Sequence, residues 1–131
     1  MSESLKNVSA LSLFVEDVQA AKAFYTEVFD VPLIFEDDVS AVVKFDNVIL
    51  NLLQVSEAPS LIAPSAVASV DSGSRFLLSI WVDDVDAVLA ELKTRGVTIL
   101  SGPIDRAWGM RTIMFSDPSG HHWEIAQGIN D

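Results

Sequence analysis

The sequence predicts an α+β fold built from two βαβββ modules whose curved, mixed sheets surround a cavity. One observation carries most of this. Residues 11–23 read LSLFVEDVQAAKA and residues 78–90 read LSIWVDDVDAVLA, and seven of the thirteen aligned positions are identical. Leu13/Ile80, Phe14/Trp81 and Glu16/Asp83 pair like with like. Such self-similarity points to internal duplication. The second observation is that each copy is followed by three short strand-like runs separated by turn residues, and the third is a stretch rich in Ser, Ala and Pro between the halves. A chain made of two copies of one module is expected to place its ligand site where the copies face each other.

Each copy reads as a strand and then a helix. Leu11, Leu13 and Val15 alternate with Ser12 and Phe14, the period-two pattern of a strand with two distinguishable faces. Asp17 is then predicted to cap a helix over about 18–28, in which Ala20, Ala21, Phe24, Tyr25 and Val28 recur at helical spacing. Tyr25 is expected to pack on the helix, with a hydroxyl at the cavity end as the alternative. In the second copy Leu78, Ile80 and Val82 alternate with Ser79 and Trp81. Asp84 is the predicted cap, and Val85, Val88, Leu89 and Leu92 form the stripe of a helix over 85–95 that Gly96 stops.

The remaining strands are predicted at 31–35, 40–45 and 48–55, with Asp46-Asn47 as a hairpin turn, and at 98–100, 111–115 and 122–127. Asp117-Pro118-Ser119-Gly120 supplies the turn before the last strand. This gives one domain over 1–131, made of a module at 7–55, a linker at 56–72 and a module at 73–128.

Composition narrows the functional classes. Half of the residues are hydrophobic, ample for a core, and the absence of cysteine excludes disulfides and thiolate chemistry. No basic segment leads into an apolar run at the N-terminus, and nothing approaches the roughly 18 uninterrupted apolar residues of a membrane helix. A cytoplasmic protein without a membrane partner is therefore expected. Eight Lys and Arg stand against nineteen Asp and Glu, a net charge of −11, which would repel a phosphate backbone and argues against nucleic acid. The acids cluster at helix starts and loops, where solvation and helix N-termini accommodate them. Attraction of a cationic ligand is the alternative reading of the same charge.

FVEDVQAAKAFYTEVF early in the chain and WGMRTIMFSDPSGHHWEIAQ late in it, together with the paired βαβββ order, resemble the vicinal oxygen chelate superfamily. That superfamily includes glyoxalase I, extradiol dioxygenases, fosfomycin-inactivating enzymes and bleomycin-binding resistance proteins. The likeness covers nearly the whole chain and is specific for the fold, while activities on this scaffold differ. It implies a metal ion held by one residue from the first and one from the last strand of each module. Carried over by alignment, the first-strand positions are Ala10 and Leu77, and the last-strand positions are Asn51, in VILNLLQ, and Glu124, in HHWEIAQ. Gln54 and Gln127 end both runs in the same register. Ala10 and Leu77 offer no donor, and only Glu124 is a strong ligand type where three or four are needed. Of the two histidines, only His122 shares a strand face with Glu124. The expectation is that no metal and no other cofactor is bound, with a divalent metal ion as the alternative.

Strand alternation then says what lines the cavity in the metal's place. If Ala10 and Leu77 face inward, so do Ser12, Phe14, Ser79 and Trp81, and by the same rule Ile49, Asn51, Leu53, His122, Glu124 and Ala126. Trp123 and Ile125 belong to the helix-side core. Phe14 and Trp81 are candidates for stacking on a ligand, or simply core aromatics. Trp108, beside Gly109, is expected at the cavity mouth with Arg111 at its rim; alternatively this Trp covers a sheet end and Arg111 pairs with a surface acid.

Three functions fit these residues. The one placed first is a metal-free protein of the glyoxalase/bleomycin resistance type that sequesters a small aromatic natural product or drug, cationic in one version. Its ligand-binding residues would be Phe14, Asn51, Trp81, Trp108, Arg111, His122 and Glu124, and its assembly a homodimer. The second is a glyoxalase-like lyase or a dioxygenase with Glu124 as metal ligand or general base. The third is a metal-free isomerase or cyclase in which Glu124 or His122 moves a proton. Glu124 is catalytic only in the enzyme readings, and whether the chain is an enzyme stays open on the sequence.

Overall fold

A computed structural model of the chain describes residues 5–129; residues 1–4 and 130–131, the ends of the predicted 1–131 domain, lie outside the described residues. The chain divides into two compact units, Met1–Ser69 and Val70–Asp131, and each contains one of the predicted modules.

The first unit runs β1 (Ala10–Val15), α1 (Val18–Val28), β2 (Leu33–Glu36), β3 (Ser40–Lys44) and β4 (Ile49–Gln54). Its sheet has the order β1-β4-β3-β2, with β1 parallel to β4 and the other pairs antiparallel. As predicted, Asp17 accepts hydrogen bonds from the Gln19 and Ala20 amides at 3.0 and 3.2 Å, satisfying donors that a helix start leaves unpaired. The face of α1 carrying Ala21, Tyr25 and Val28 closes over Leu13, Val15, Val43, Leu50 and Leu52, all buried. Each leucine removed from water here contributes roughly 1.5–3 kcal/mol. Tyr25 is fully buried and stacks on Phe29 with ring centroids 5.4 Å apart, which settles its role as packing on the helix.

A linker of short helical turns follows, over Val55–Glu57, Pro59–Ile62 (α2) and Val70–Ser72. Pro59 at the start of α2 begins a single turn within this linker, because the amide that proline lacks has no partner in a helix's first turn.

The second unit repeats the plan with β5 (Leu78–Trp81), α3 (Val85–Thr94), β6 (Ser101–Asp105), β7 (Met110–Ser116) and β8 (His122–Gly128). Its sheet has the order β5-β8-β7-β6, with β5 parallel to β8. Asp84 accepts from Ala87 N at 3.1 Å, and Gly96, at φ +82°, follows the last turn of α3 where the sequence places the stop. Val85 and Leu92 pack onto Ile113, Phe115, Trp123 and Ile125, so the helix-side core is the one the alternation predicts.

One strand differs from the sequence reading. The edge strand β6 lies at Ser101–Asp105 and not at 98–100. Gly102-Pro103 looks like a break in the sequence, yet an edge strand has one side free of ladder bonds and tolerates proline. The β6–β7 register shifts between Ser101 and Ile104 at this point. Gly102 is needed there: its φ is +92°, and an added Cβ would overlap the Thr112 carbonyl oxygen.

The two units share a further device. Gln54 Oε1 accepts from Val18 N at 3.0 Å while its Nε2 donates to Glu16 O at 2.6 Å, and Gln127 Oε1 accepts from Val85 N at 2.8 Å. The last strand of each module is thereby tied to the turn between its first strand and helix. Val85 is fully buried, so Gln127→Ala strands its amide and is expected to lower unfolding free energy by about 1–2 kcal/mol in urea denaturation. Gln127→Glu keeps the acceptor and should lose less; equal losses would show that the bond contributes nothing.

Candidate functional site

With helices covering one face of each sheet, the candidate residues Phe14, Asn51, Trp81, His122 and Glu124 lie on the other. In the first unit this face carries Ser12, Phe14 and Asn51. Asn51 Nδ2 donates to Ser12 Oγ at 3.2 Å across directly opposed positions of β1 and β4. Phe14 is half-buried beside them.

The corresponding positions of the second unit pair Ser79 with Glu124, where Ser79 Oγ donates to Glu124 Oε1 at 2.8 Å. Here the face is a cavity of about 630 Å³ lined by Ser79, Trp81, Trp108, Met110, Thr112 and Glu124, among others. Trp81 and Trp108 are 80% and 70% exposed. Neither ring belongs to the buried core, and both stand on the cavity wall. A second cavity of about 460 Å³ adjoins it through Thr112 and Glu124 and is lined also by Arg75, Leu77, Arg106, Met114 and His122.

The structure therefore brings together Trp81, Trp108 and Glu124, and sets His122 beside Glu124. It does not bring Arg111 to them. Along β7, Met110, Thr112 and Met114 face the cavities, whereas Arg111 shares the opposite parity with the buried Ile113 and Phe115. Its Nε and Nη2 donate to Asp105 at 2.7 and 3.2 Å and its Nη1 to Asp86 on α3 at 3.1 Å. This corrects the expectation of Arg111 at the rim in favour of the surface ion pair. Strand pleat is the cause, because residues one apart point to opposite faces.

Sequence reasoning missed Met110, Thr112, Met114 and Arg106. Arg106 Nε donates to Thr112 Oγ1 at 3.0 Å, and its guanidinium lies over the Trp108 ring at 5.7 Å. The strand pairing holds the signal that would have found the first three: Thr112 opposes Ala126 and Met114 opposes Glu124, and paired residues share a face. His121 precedes β8, and its Nδ1 lies 2.8 Å from Oδ2 of the buried Asp117. Asp117 also accepts from the Ser119 and His121 amides at 2.9 Å, the turn role predicted for it.

The family follows from this arrangement and from comparison. The chain belongs to the glyoxalase/bleomycin resistance protein/dioxygenase superfamily, whose model matches residues 7–125. An uncharacterized protein of Mycobacterium tuberculosis strain H37Rv is 27% identical over 128 residues, covering 91% of this chain and 73% of that one. The uncharacterized protein YraH of Bacillus subtilis is 27% identical over 119 residues, covering 88% and 93%. Among solved structures, a glyoxalase/bleomycin resistance protein/dioxygenase from Nocardioides superposes with a TM-score of 0.83 at 25% identity, covering 98% of this chain and 90% of that one. A lactoylglutathione lyase from Agrobacterium tumefaciens superposes with a TM-score of 0.74 at 19% identity, covering 94% of each, a likeness of fold.

The metal ion that this family implies does not fit the residues present. Ala10 and Leu77 carry no donor, the Asn51 amide is turned to Ser12, and Glu124 stands without a second carboxylate. Among the described residues no three of His, Cys, Asp and Glu converge on one point. No helix among them is long and apolar enough to cross a membrane.

The Arg111 pair leaves a titration signature. Its hydrogen bonds hold the Asp105 carboxyl below the usual carboxylate range, and Asp105 in turn raises the guanidinium. A carboxyl whose folded pKa is lowered stabilises the fold above its unfolded pKa, and that stabilisation is lost as pH falls through the lowered value. Melting temperature should therefore fall less steeply below about pH 4 in Asp105→Asn than in the native chain. Parallel curves would remove the pair from the acid response.

Proposed function

We propose that the chain is a metal-free binding protein of the glyoxalase/bleomycin resistance type that sequesters a small aromatic molecule. The observation that carries this reading is the pair of exposed indoles, Trp81 and Trp108, standing on one cavity in a module whose first-strand metal position is Leu77. A flat apolar ligand would gain contact area from both rings and a hydrogen bond from the Ser79–Glu124 pair. In the first module the equivalent sheet face carries Phe14 and Asn51. In this reading the protein is cytoplasmic and works as a homodimer, the usual closed assembly for such a chain. Light scattering at micromolar concentration should give twice the 14.2 kDa chain mass; the chain mass alone would overturn the dimer.

A second reading is supported by the Ser79 to Glu124 hydrogen bond at 2.8 Å, which holds a carboxylate in place inside a cavity as a proton acceptor needs. Glu124 would then move a proton in a lyase, isomerase or dioxygenase of this scaffold.

A calorimetric screen of aromatic metabolites, run with and without chelator, separates the two. For a ligand found this way, Trp81→Ala or Trp108→Ala should weaken binding by roughly 1–3 kcal/mol, with no effect of chelator. Glu124→Gln should shift affinity while the ligand is recovered unchanged. Ligand recovered chemically altered from the native protein but not from this variant would make Glu124 a catalytic residue and end the sequestration reading.

A further inference from the structure

The charges on this wall are arranged against the charge of the chain. Among the described residues Glu124 is the one acid that lines the two adjoining cavities, whereas two of the four arginines, Arg75 and Arg106, line the second of them. The other two arginines are occupied, Arg95 by Glu91 at 2.7 Å and Arg111 by Asp105 and Asp86. Among the described residues no carboxylate lies within ion-pair distance of Arg75 or Arg106. Two guanidiniums against one carboxylate leave this wall one charge positive while His122 is neutral.

Arg106 is held by several contacts, and Arg75 lies on the bend that leads into β5. Arg106 is fixed by its bond to Thr112, by the Trp108 ring beneath it, and by a tight turn in which Gly109 N donates to Arg106 O at 3.0 Å. Arg75 lies next to Phe76, whose ring meets His121 edge-on at 6.0 Å, and His121 is held by the buried Asp117. The Nε of Arg106 is spent on Thr112, which leaves its two terminal nitrogens as a fork of donors for a planar anion.

We infer that the ligand is an aromatic carboxylate: its ring lies on Trp81, Trp108 and Met110, and its carboxylate is received by Arg106 and Arg75. This rests on the aromatic-ligand reading above and specifies the head group. A monoanion neutralises the wall, and a carboxylate matches the guanidinium fork in shape. The net charge of −11 acts at long range on every anion alike and is screened beyond about 8–10 Å, so the local pair decides between molecules of equal size.

Three probes of one shape test this by titration calorimetry: 1-naphthoate, 1-naphthamide and 1-naphthylmethylammonium. Naphthoate should bind about tenfold more tightly than the amide, with the ammonium weakest, since hydrogen bonds to a charged group contribute on that order. Added salt should erode the naphthoate advantage in the native protein, and in Arg106→Gln and Arg75→Gln the naphthoate-to-amide ratio should fall towards one. Ammonium binding as tightly as naphthoate, or a ratio indifferent to salt and to both substitutions, overturns the carboxylate assignment and leaves the aromatic site standing. If none of the three probes binds, the aromatic site falls and the carboxylate assignment with it.

Discussion

In each unit a side-chain amide at the end of the last strand reaches the turn between the first strand and its helix, and the placement of everything else depends on that closure. The first strand and the last strand of a module are parallel and far apart in sequence, so no hairpin aligns them. Gln54 and Gln127 do so by answering the first helical amides, Val18 N and Val85 N. Once that point is fixed, the helix has one sheet face to cover, and the β1–β4 and β5–β8 registers follow. The uncovered face is then free for binding. The helix thus leaves one face of each sheet uncovered, and in the second unit both cavities open on that face.

The two modules keep this frame and differ in what they put on the free face. Ser12 meets Asn51 in one and Ser79 meets Glu124 in the other, at the same register. A neutral amide and a carboxylate thus occupy equivalent places, and Phe14 is answered by Trp81. The second module adds Trp108 and Arg106, which lie beyond the repeated stretch 78–90. Divergence after duplication has concentrated charge and aromatic surface in one half while leaving the helix-side core of both halves nearly unchanged in character.

The residues at the first-strand positions that the family resemblance assigns to a metal fit the same pattern. Ala10 and Leu77 need nothing but a small or apolar contact where they stand, and Leu77 forms part of a cavity wall with Arg106 and Met114. In the binding reading proposed above, a wall of leucine, methionine and indole with a few fixed polar groups would select by shape and by the hydrogen bonds and charges a ligand leaves unanswered.

Much of this was determined by the sequence alone, because the signals are local. Helix α1 begins and ends where Asp17 and the apolar spacing place it, and the parity of β1, β5 and β8 follows from alternation along a single strand. That parity was enough to put Trp81 and Glu124 on one face and Trp123 on the other. Tertiary structure decided what depends on pairing between strands. Arg111 and Arg106 are the same residue type five positions apart, yet the pleat turns one to Asp105 and Asp86 and the turn at Gly109 turns the other onto Trp108. Thr112 and Met114 joined the site because β7 pairs with β8 in a register that no property of β7 by itself specifies. The edge strand formed at Ser101–Asp105 despite Gly102 and Pro103, since an edge leaves one side without ladder bonds and propensity along the chain cannot say which strand will be the edge.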